Sequence, residues 1–160
     1  MGRDVRPVLF LDFDGVLHPE RCTIDLYFCK LPLLEAWLRQ HPLIDVVVSS
    51  SWREPHSLDV LREFFAEDVQ PRVIDVTPVV SGAEWAQADG ELIPVRFERE
   101  AEIQRWLHAS DQPWRAWAAL DDQASLFRPF CPNLVVCNRT VGLTKHELDL
   151  VDDVLKTASR

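Results

Sequence analysis

The chain has 160 residues, 47% of them hydrophobic, which is enough for one substantial core and predicts a single domain over residues 1–160. Its formal net charge of −9 argues against an extended nucleic-acid-binding surface, because such a surface needs clustered Lys and Arg facing phosphates. We expect neither a signal region nor a membrane span, since no stretch approaches about 20 apolar residues. The four cysteines lack zinc-binding spacing, which favours free, buried thiols in a reducing cytoplasm.

The first predicted strand is the most informative run of the sequence. Apolar residues without alternation cover about residues 8–13, a pattern typical of a strand buried on both faces. Asp12 and Asp14 come at its C-terminal end, and Gly15 lets the backbone turn just past them. In a nearly extended chain these two acids project the same way, and like charges so close need a cation or a shared proton. A divalent metal is therefore the first hypothesis.

Strands and helices alternate along the rest of the chain, which indicates the α/β class with a mainly parallel sheet. Further strands are predicted at residues 43–48, 73–76, 114–120 and 134–137. A first helix is predicted from Leu31, with Pro32 in its first turn, and a second follows Ser57 as N-cap, with Leu58, Leu61, Phe64 and Phe65 on its apolar face. A third helix is predicted over residues 97–108, and a fourth begins at the capping box Thr144-Lys-His-Glu147. Segments 19–30 and 77–94 show no clear period, so we expect them to form only small covers.

Polar residues stand at the ends of three predicted strands. The first ends at Asp12, the second at Ser49-Ser50-Ser51, and a later one at Asp121-Asp122. The carboxyl ends of parallel strands share one edge of the sheet, so we expect these residues to meet there.

The residues at these strand ends resemble the motifs of the haloacid dehalogenase (HAD) superfamily of aspartate-nucleophile phosphohydrolases. The resemblance rests on Asp12-Phe-Asp14-Gly-Val-Leu, a strand ending in Ser49, a basic residue near a helix start, and Leu120-Asp-Asp122, and it covers nearly the whole chain. Val46-Val-Val-Ser-Ser-Ser-Trp52-Arg53, Arg99-Glu-Ala-Glu-Ile103 and Val141-Gly-Leu-Thr144 look closest to small cap-less domains related to RNA-repair (Swiss Army Knife) proteins. The resemblance implies a three-layer α/β/α Rossmann-like fold without a large cap domain.

The resemblance also implies roles for the four acids. Asp12 would attack phosphorus and bind Mg²⁺, and Asp14 would protonate the leaving alcohol and then activate water. Asp14 would meet the metal through its backbone carbonyl. Asp122 is the expected direct ligand, with Asp121 in support.

The phosphate-binding residues are implied in the same way, with two alternatives open. Ser49 or Ser50 would hydrogen-bond a phosphate oxygen. Arg99 is the expected basic residue, although Arg96 lies one turn away, and Arg99 could instead form surface ion pairs with its glutamate neighbours.

Two further residues near these motifs are predicted to be structural. His18 is close enough to the first motif to line the entrance of the site, but the expectation is an exposed loop histidine. Trp52 follows the serines and with Arg53 could lie beside the phosphate pocket, but it is expected to be a packing residue.

The predicted function is that of a Mg²⁺-dependent phosphatase acting through an aspartyl-phosphate intermediate. The short cover segments imply an open site, which suits a large substrate such as a polynucleotide end. Two alternatives stay open: a non-catalytic phospho-acceptor or interaction module, and a metal-dependent nuclease.

Overall fold

The fold is built on a five-stranded parallel sheet with the strand order β3-β2-β1-β6-β7. It was obtained as a computed structural model, which describes residues 5–80 and 96–159 together with the backbone of residues 85–86 and 92–93. The strands of this sheet are β1 (Val8–Leu11), β2 (Asp45–Val48), β3 (Val73–Val76), β6 (Trp117–Asp121) and β7 (Leu134–Val136). The short strands β4 (Trp85–Ala86) and β5 (Leu92–Ile93) pair antiparallel to each other.

In the described residues, four α-helices connect and cover the strands. They are α1 (Leu31–Gln40), α2 (Leu58–Glu63), α3 (Glu98–Ala109) and α4 (Lys145–Ala158). The predicted caps are confirmed: the Ser57 hydroxyl accepts a hydrogen bond from the Val60 N–H, and Thr144 and Glu147 form a capping box. No helix in the part of the chain that the structure describes is long and apolar enough to cross a membrane.

The side chains of β1 alternate between the two faces of the sheet. Leu9 and Leu11 pack into a core with residues of α1, α2 and α4, whereas Val8 and Phe10 pack into a second core with residues of α3. This alternation, repeated in β2 and β6, gives helices on both faces of the sheet and explains the unbroken apolar runs in the sequence. The predicted three-layer α/β/α fold is confirmed, and no large cap domain interrupts the described residues.

The structure shortens several predicted elements. Leu43 and Trp114, the first residues of two predicted strands, are exposed and lie before β2 and β6 begin. Phe64 and Phe65, predicted to lie on the apolar face of the second helix, follow the end of α2. The expectation of buried thiols is wrong for three of the four free cysteines, because only Cys137 is buried.

The two predicted cover segments differ in how fully they are described. Residues 19–30 contain one short 3-10 helix, Ile24–Leu26. Residues 77–94 are described only at 77–80 and at β4 and β5, and the rest of that prediction lies outside the described residues.

Candidate functional site

The predicted polar strand ends lie together at one edge of the sheet. β1 lies between β2 and β6, and the backbone pairing continues past the ends of the strands. The Ser49 N–H donates to the Leu11 carbonyl at 2.9 Å, and the Asp12 N–H donates to the Leu120 carbonyl at 3.1 Å. This pairing fixes Asp12 between the serines that follow β2 and the acids at the end of β6.

Asp12, Asp121 and Asp122 form a buried carboxylate group. One oxygen of each lies within 4.8 Å of the others, and the Asp14 carboxylate is not part of the group. Burial and the neighbouring Asp121 raise the pKa of Asp12 well above its ordinary value, against the opposing effect of Arg99. Burial likewise raises the pKa of Asp121 to about 6, again opposed by Arg99. The edge of the sheet therefore concentrates negative charge in a region that water scarcely reaches.

Arg99 is the basic side chain that faces this group. It lies in the first turn of α3, and its Nη1 is 3.2 Å from Asp121 Oδ2 and 3.5 Å from Asp12 Oδ1. The third-motif alternative, Arg96, is exposed and precedes the helix. The alternative of surface ion pairs does not hold for Arg99, because the glutamate that it approaches among the described residues, Glu102 at 3.9 Å, is buried.

The carboxylate oxygens differ in how far protein donors satisfy them. Asp121 Oδ1 accepts the Gln123 N–H at 2.9 Å and its Oδ2 faces Arg99, while Asp12 Oδ1 accepts the Phe13 N–H at 2.9 Å. Asp122 Oδ1 is buried and has no hydrogen-bond partner among the described residues. A buried, unpartnered carboxylate oxygen beside two other carboxylates matches the oxygen ligands of a divalent cation. These residues therefore fit a divalent metal.

Gly15 permits the close approach of Asp122. Its φ is +76°, and a Cβ at this position would lie 2.5 Å from Asp122 Oδ2. The glycine predicted to allow a turn thus also makes room for a carboxylate.

Ser49 and Ser50 are both buried where β2 ends. The Ser50 hydroxyl accepts the Trp52 N–H at 3.3 Å and caps the short 3-10 helix Ser51–Arg53. Ser49 precedes this helix and directly follows the strand. The two serines, which the sequence leaves equivalent, therefore differ in their local bonding.

Arg53 holds the segment after β2 in place, a role that the sequence analysis missed. Its guanidinium donates to the carbonyls of Ser49 at 3.2 Å, Ser50 at 2.8 Å and Thr77 at 2.9 Å. It also forms a buried ion pair of 2.6 Å with Glu102. No local pattern could have indicated this pair, since its partners lie 49 residues apart.

Arg139 is a second residue that the sequence analysis missed. It follows β7, and its Nε lies 3.7 Å from Asp122 Oδ2. Its Nη2 also donates to the Asp122 backbone carbonyl at 3.4 Å. Arg139 is about half exposed, so it approaches the carboxylate group from the solvent side.

The Asp14 side chain has different surroundings from those of Asp12. It is 45% exposed, its Oδ1 lies 2.8 Å from His18 Nε2, and its Oδ2 accepts the Trp52 indole N–H at 3.0 Å. The expectation that His18 is exposed is wrong, since its side chain is 1% exposed. Trp52 packs against the core as predicted, and it binds Asp14 as well.

The chain matches a known family of protein domains. The family model described as the HAD domain in Swiss Army Knife RNA repair proteins matches residues 8–148. Neither the curated proteins nor the solved structures contain a match to the chain.

A divalent cation that binds these carboxylates should stabilise the native protein against unfolding, and Gly15→Ala should abolish this effect, because the added Cβ displaces the Asp122 carboxylate. Gly142→Ala is the matched control: Gly142 also has a positive φ of +82°, but its Cβ would meet the Val16 carbonyl at 3.0 Å and no carboxylate. The positive φ alone should cost each variant about 1–2 kcal/mol of unfolding free energy. Thermal unfolding with and without MgCl₂ checks this, and an undiminished Mg²⁺ effect in Gly15→Ala contradicts it.

Asp121→Asn should reveal the raised pKa of Asp121 in the metal-free protein. Burial raises that pKa from 3.8 to about 6, so the folded protein binds the proton more tightly than the unfolded chain does. The contribution of Asp121 to stability is therefore full below about pH 4 and is lost as the pH rises through about 6. Urea unfolding in the presence of EDTA measures the free energy of unfolding of both proteins. The value for the native protein minus that for the variant should fall as the pH rises from about 4 to above about 6.

Asp68→Asn should change the pH dependence of stability in the opposite direction. A hydrogen bond from Arg39 lowers the pKa of Asp68, so the corresponding difference should rise with pH. Equal pH dependence of the native protein and Asp121→Asn would contradict the prediction for Asp121.

Proposed function

The chain belongs to the family of HAD domains in Swiss Army Knife RNA repair proteins, and on this premise we propose that it is a Mg²⁺-dependent phosphatase. The proposal rests chiefly on the contrast between two acids that are two residues apart. Asp12 lies buried among carboxylates and Arg99, as suits a group that attacks phosphorus beside a cation. Asp14 is half exposed and contacts two ring nitrogens, those of His18 and Trp52, as suits a group that exchanges protons with substrate and water.

In the proposed first step, an Asp12 carboxylate oxygen attacks the phosphorus of a phosphomonoester. The bond between phosphorus and the ester oxygen breaks, and its electron pair stays with the leaving oxygen, which takes a proton from Asp14. Arg99 and Ser49 bind the other phosphate oxygens. We assign this contact to Ser49, which directly follows β2, because the hydrogen bond from the Trp52 N–H holds the Ser50 hydroxyl in the cap of the short helix after the strand.

In the proposed second step, water attacks the phosphorus of the aspartyl-phosphate. Asp14, now a carboxylate, accepts a proton from this water. The acyl-phosphate bond breaks, which regenerates the Asp12 carboxylate and releases inorganic phosphate. Asp14 thus gives one proton and recovers one in each cycle.

The metal would be held by Asp12, Asp122 and the backbone carbonyl of Asp14, with Asp121 in support through Arg99. A bound divalent cation supplies positive charge that keeps the crowded carboxylates ionised and offsets the charge of the substrate phosphate. The unpartnered Asp122 Oδ1 supports its assignment as a direct ligand, since both Asp121 oxygens face protein donors.

We propose that the substrate is large and presents a terminal phosphate, such as an oligonucleotide end. The half-exposed Asp14 side chain supports access by a bulky substrate. The RNA-repair description of the family supports a nucleic-acid substrate. The net charge of −9 favours recognition of the end alone over an extended contact.

Asp12→Asn should lower phosphate release by about a thousandfold or more, because an amide is a poor nucleophile toward phosphorus. The assay compares 5′- and 3′-phosphorylated oligonucleotides with small phosphoesters, with and without Mg²⁺, and Asp149→Asn on the exposed face of α4 serves as the control. Absence of phosphate release on every substrate, or native activity in Asp12→Asn, contradicts the proposal. Internal cleavage of the oligonucleotides would instead favour the nuclease alternative.

Asp14→Asn should discriminate between leaving groups. Alkyl phosphates need a proton on the leaving oxygen, so their kcat should fall by about 10²–10⁴. An activated aryl phosphate such as p-nitrophenyl phosphate leaves without protonation, so its first step should be affected far less. Burst kinetics on the aryl substrate isolate that step, and equal losses on both classes contradict the role of Asp14 as general acid.

A further inference from the structure

The Asp14 carboxyl group is held between two donors from different parts of the chain. His18 lies four residues further along the same loop, and Trp52 belongs to the short helix after β2. Their ring nitrogens lie 2.8 Å from Oδ1 and 3.0 Å from Oδ2, respectively. A side chain that is 45% exposed would ordinarily sample several rotamers, yet both of its oxygens are engaged.

The backbone of Phe28 fixes which nitrogen of His18 carries the proton. The Phe28 N–H donates to His18 Nδ1 at 3.2 Å, so Nδ1 accepts and the proton of the neutral ring lies on Nε2, facing Asp14. Phe28 has a φ of +60°, in the left-handed region that residues with a Cβ rarely occupy. The Tyr27 ring stacks on the His18 imidazole at 4.7 Å. Neighbouring residues therefore determine both the orientation and the tautomer of His18.

The Trp52 indole is held by aromatic rings on several sides. Its ring lies 5.3 Å from that of Phe28, 5.6 Å from that of Phe64 and 5.7 Å from that of Phe13, and it stacks on His56 at 5.7 Å. An indole N–H can only donate, so its partner oxygen on Asp14 must accept. The rings thus direct one donor to a defined point.

We propose that His18 and Trp52 are positioning residues that fix the plane of the Asp14 carboxyl group for proton transfer to the leaving oxygen. The inference rests on the proposed function, because it assigns the two residues a role in the reaction of Asp14. Each donor uses one lone pair of one oxygen, and each oxygen keeps another for a proton or a substrate. Proton transfer requires hydrogen-bond geometry, so a loosened carboxyl group slows only steps that need the proton.

A purely structural role for Trp52 makes a different prediction from a positioning role. Loss of packing would disturb the whole site and affect all substrates alike. Loss of the indole N–H alone should affect only leaving groups that need protonation. Trp52→Phe removes this N–H while keeping an aromatic ring.

Trp37→Phe is the matched control. Trp37 is also a core indole, and its N–H donates to Asp152 at 3.2 Å between α1 and α4. Trp52→Phe should lower kcat/KM on alkyl phosphates by about tenfold or more and change the first step with p-nitrophenyl phosphate by less than about twofold. Trp37→Phe should leave this ratio unchanged. His18→Gln, which retains an N–H donor, should preserve the alkyl activity better than His18→Leu.

A spectroscopic measurement tests the contact without relying on activity. In protein carrying ¹⁵N-labelled tryptophan, the Trp52 indole signal is identified by its loss in Trp52→Phe. This signal should shift in Asp14→Ala, whereas the Trp37 signal should not. An unmoved Trp52 signal overturns the inference even if every variant folds normally.

The outcomes separate this inference from the function on which it rests. A native protein that releases no phosphate refutes both. An active native protein whose Trp52→Phe variant loses nothing, or loses equally on alkyl and aryl substrates, refutes the positioning role alone. A selective loss on alkyl substrates together with the shifted indole signal supports it.

Discussion

The burial of three carboxylates at one edge of the sheet is the constraint on which the rest of the site depends. Asp12, Asp121 and Asp122 bring more negative charge together than Arg99 and the half-exposed Arg139 balance, and desolvation makes that imbalance costly. The surrounding structure accommodates it: Phe13 and Gln123 donate backbone N–H groups. Asp122 Oδ1 still lacks a hydrogen-bond partner among the described residues, and a bound cation would satisfy it.

The sheet topology explains why this concentration of charge is possible. β1 is the central strand, and the chain leaves it toward β2 on one side and returns to pair with it through β6 on the other. Such a switch point opens a crevice at the carboxyl ends of the strands. The apolar runs of β1, β2 and β6 pack into the cores on both faces of the sheet and hold the edge rigidly. The stability of the cores thus maintains an arrangement of charges that is unfavourable on its own.

The features that could be predicted from the sequence are those that local patterns determine. Unbroken apolar runs predict the central strands, and the parallel topology then places Asp12 beside Asp121. Contacts between distant residues could not be predicted in this way: the ion pair of Arg53 with Glu102 depends on how α3 packs beside the segment after β2. The burial of His18 was missed for the same reason, because it is covered by Tyr27 and Phe28 from a segment without periodicity. The start of α3, finally, distinguishes the two arginines, because Arg99 lies in its first turn whereas the exposed Arg96 precedes it.

Two acids that are two residues apart would be nearly equivalent in an extended strand, yet the fold gives them opposite surroundings. Backbone pairing with Leu120 holds Asp12 at the buried edge. Beyond it the chain turns at Gly15, and the Gly15 N–H donates to the His18 carbonyl, so that His18 lies beside Asp14. The turn that brings the backbone close to Asp122 is therefore the same turn that provides Asp14 with its imidazole partner. A single glycine thus couples the buried carboxylate group of Asp12, Asp121 and Asp122 to the surroundings of Asp14, so a change at Gly15 affects both.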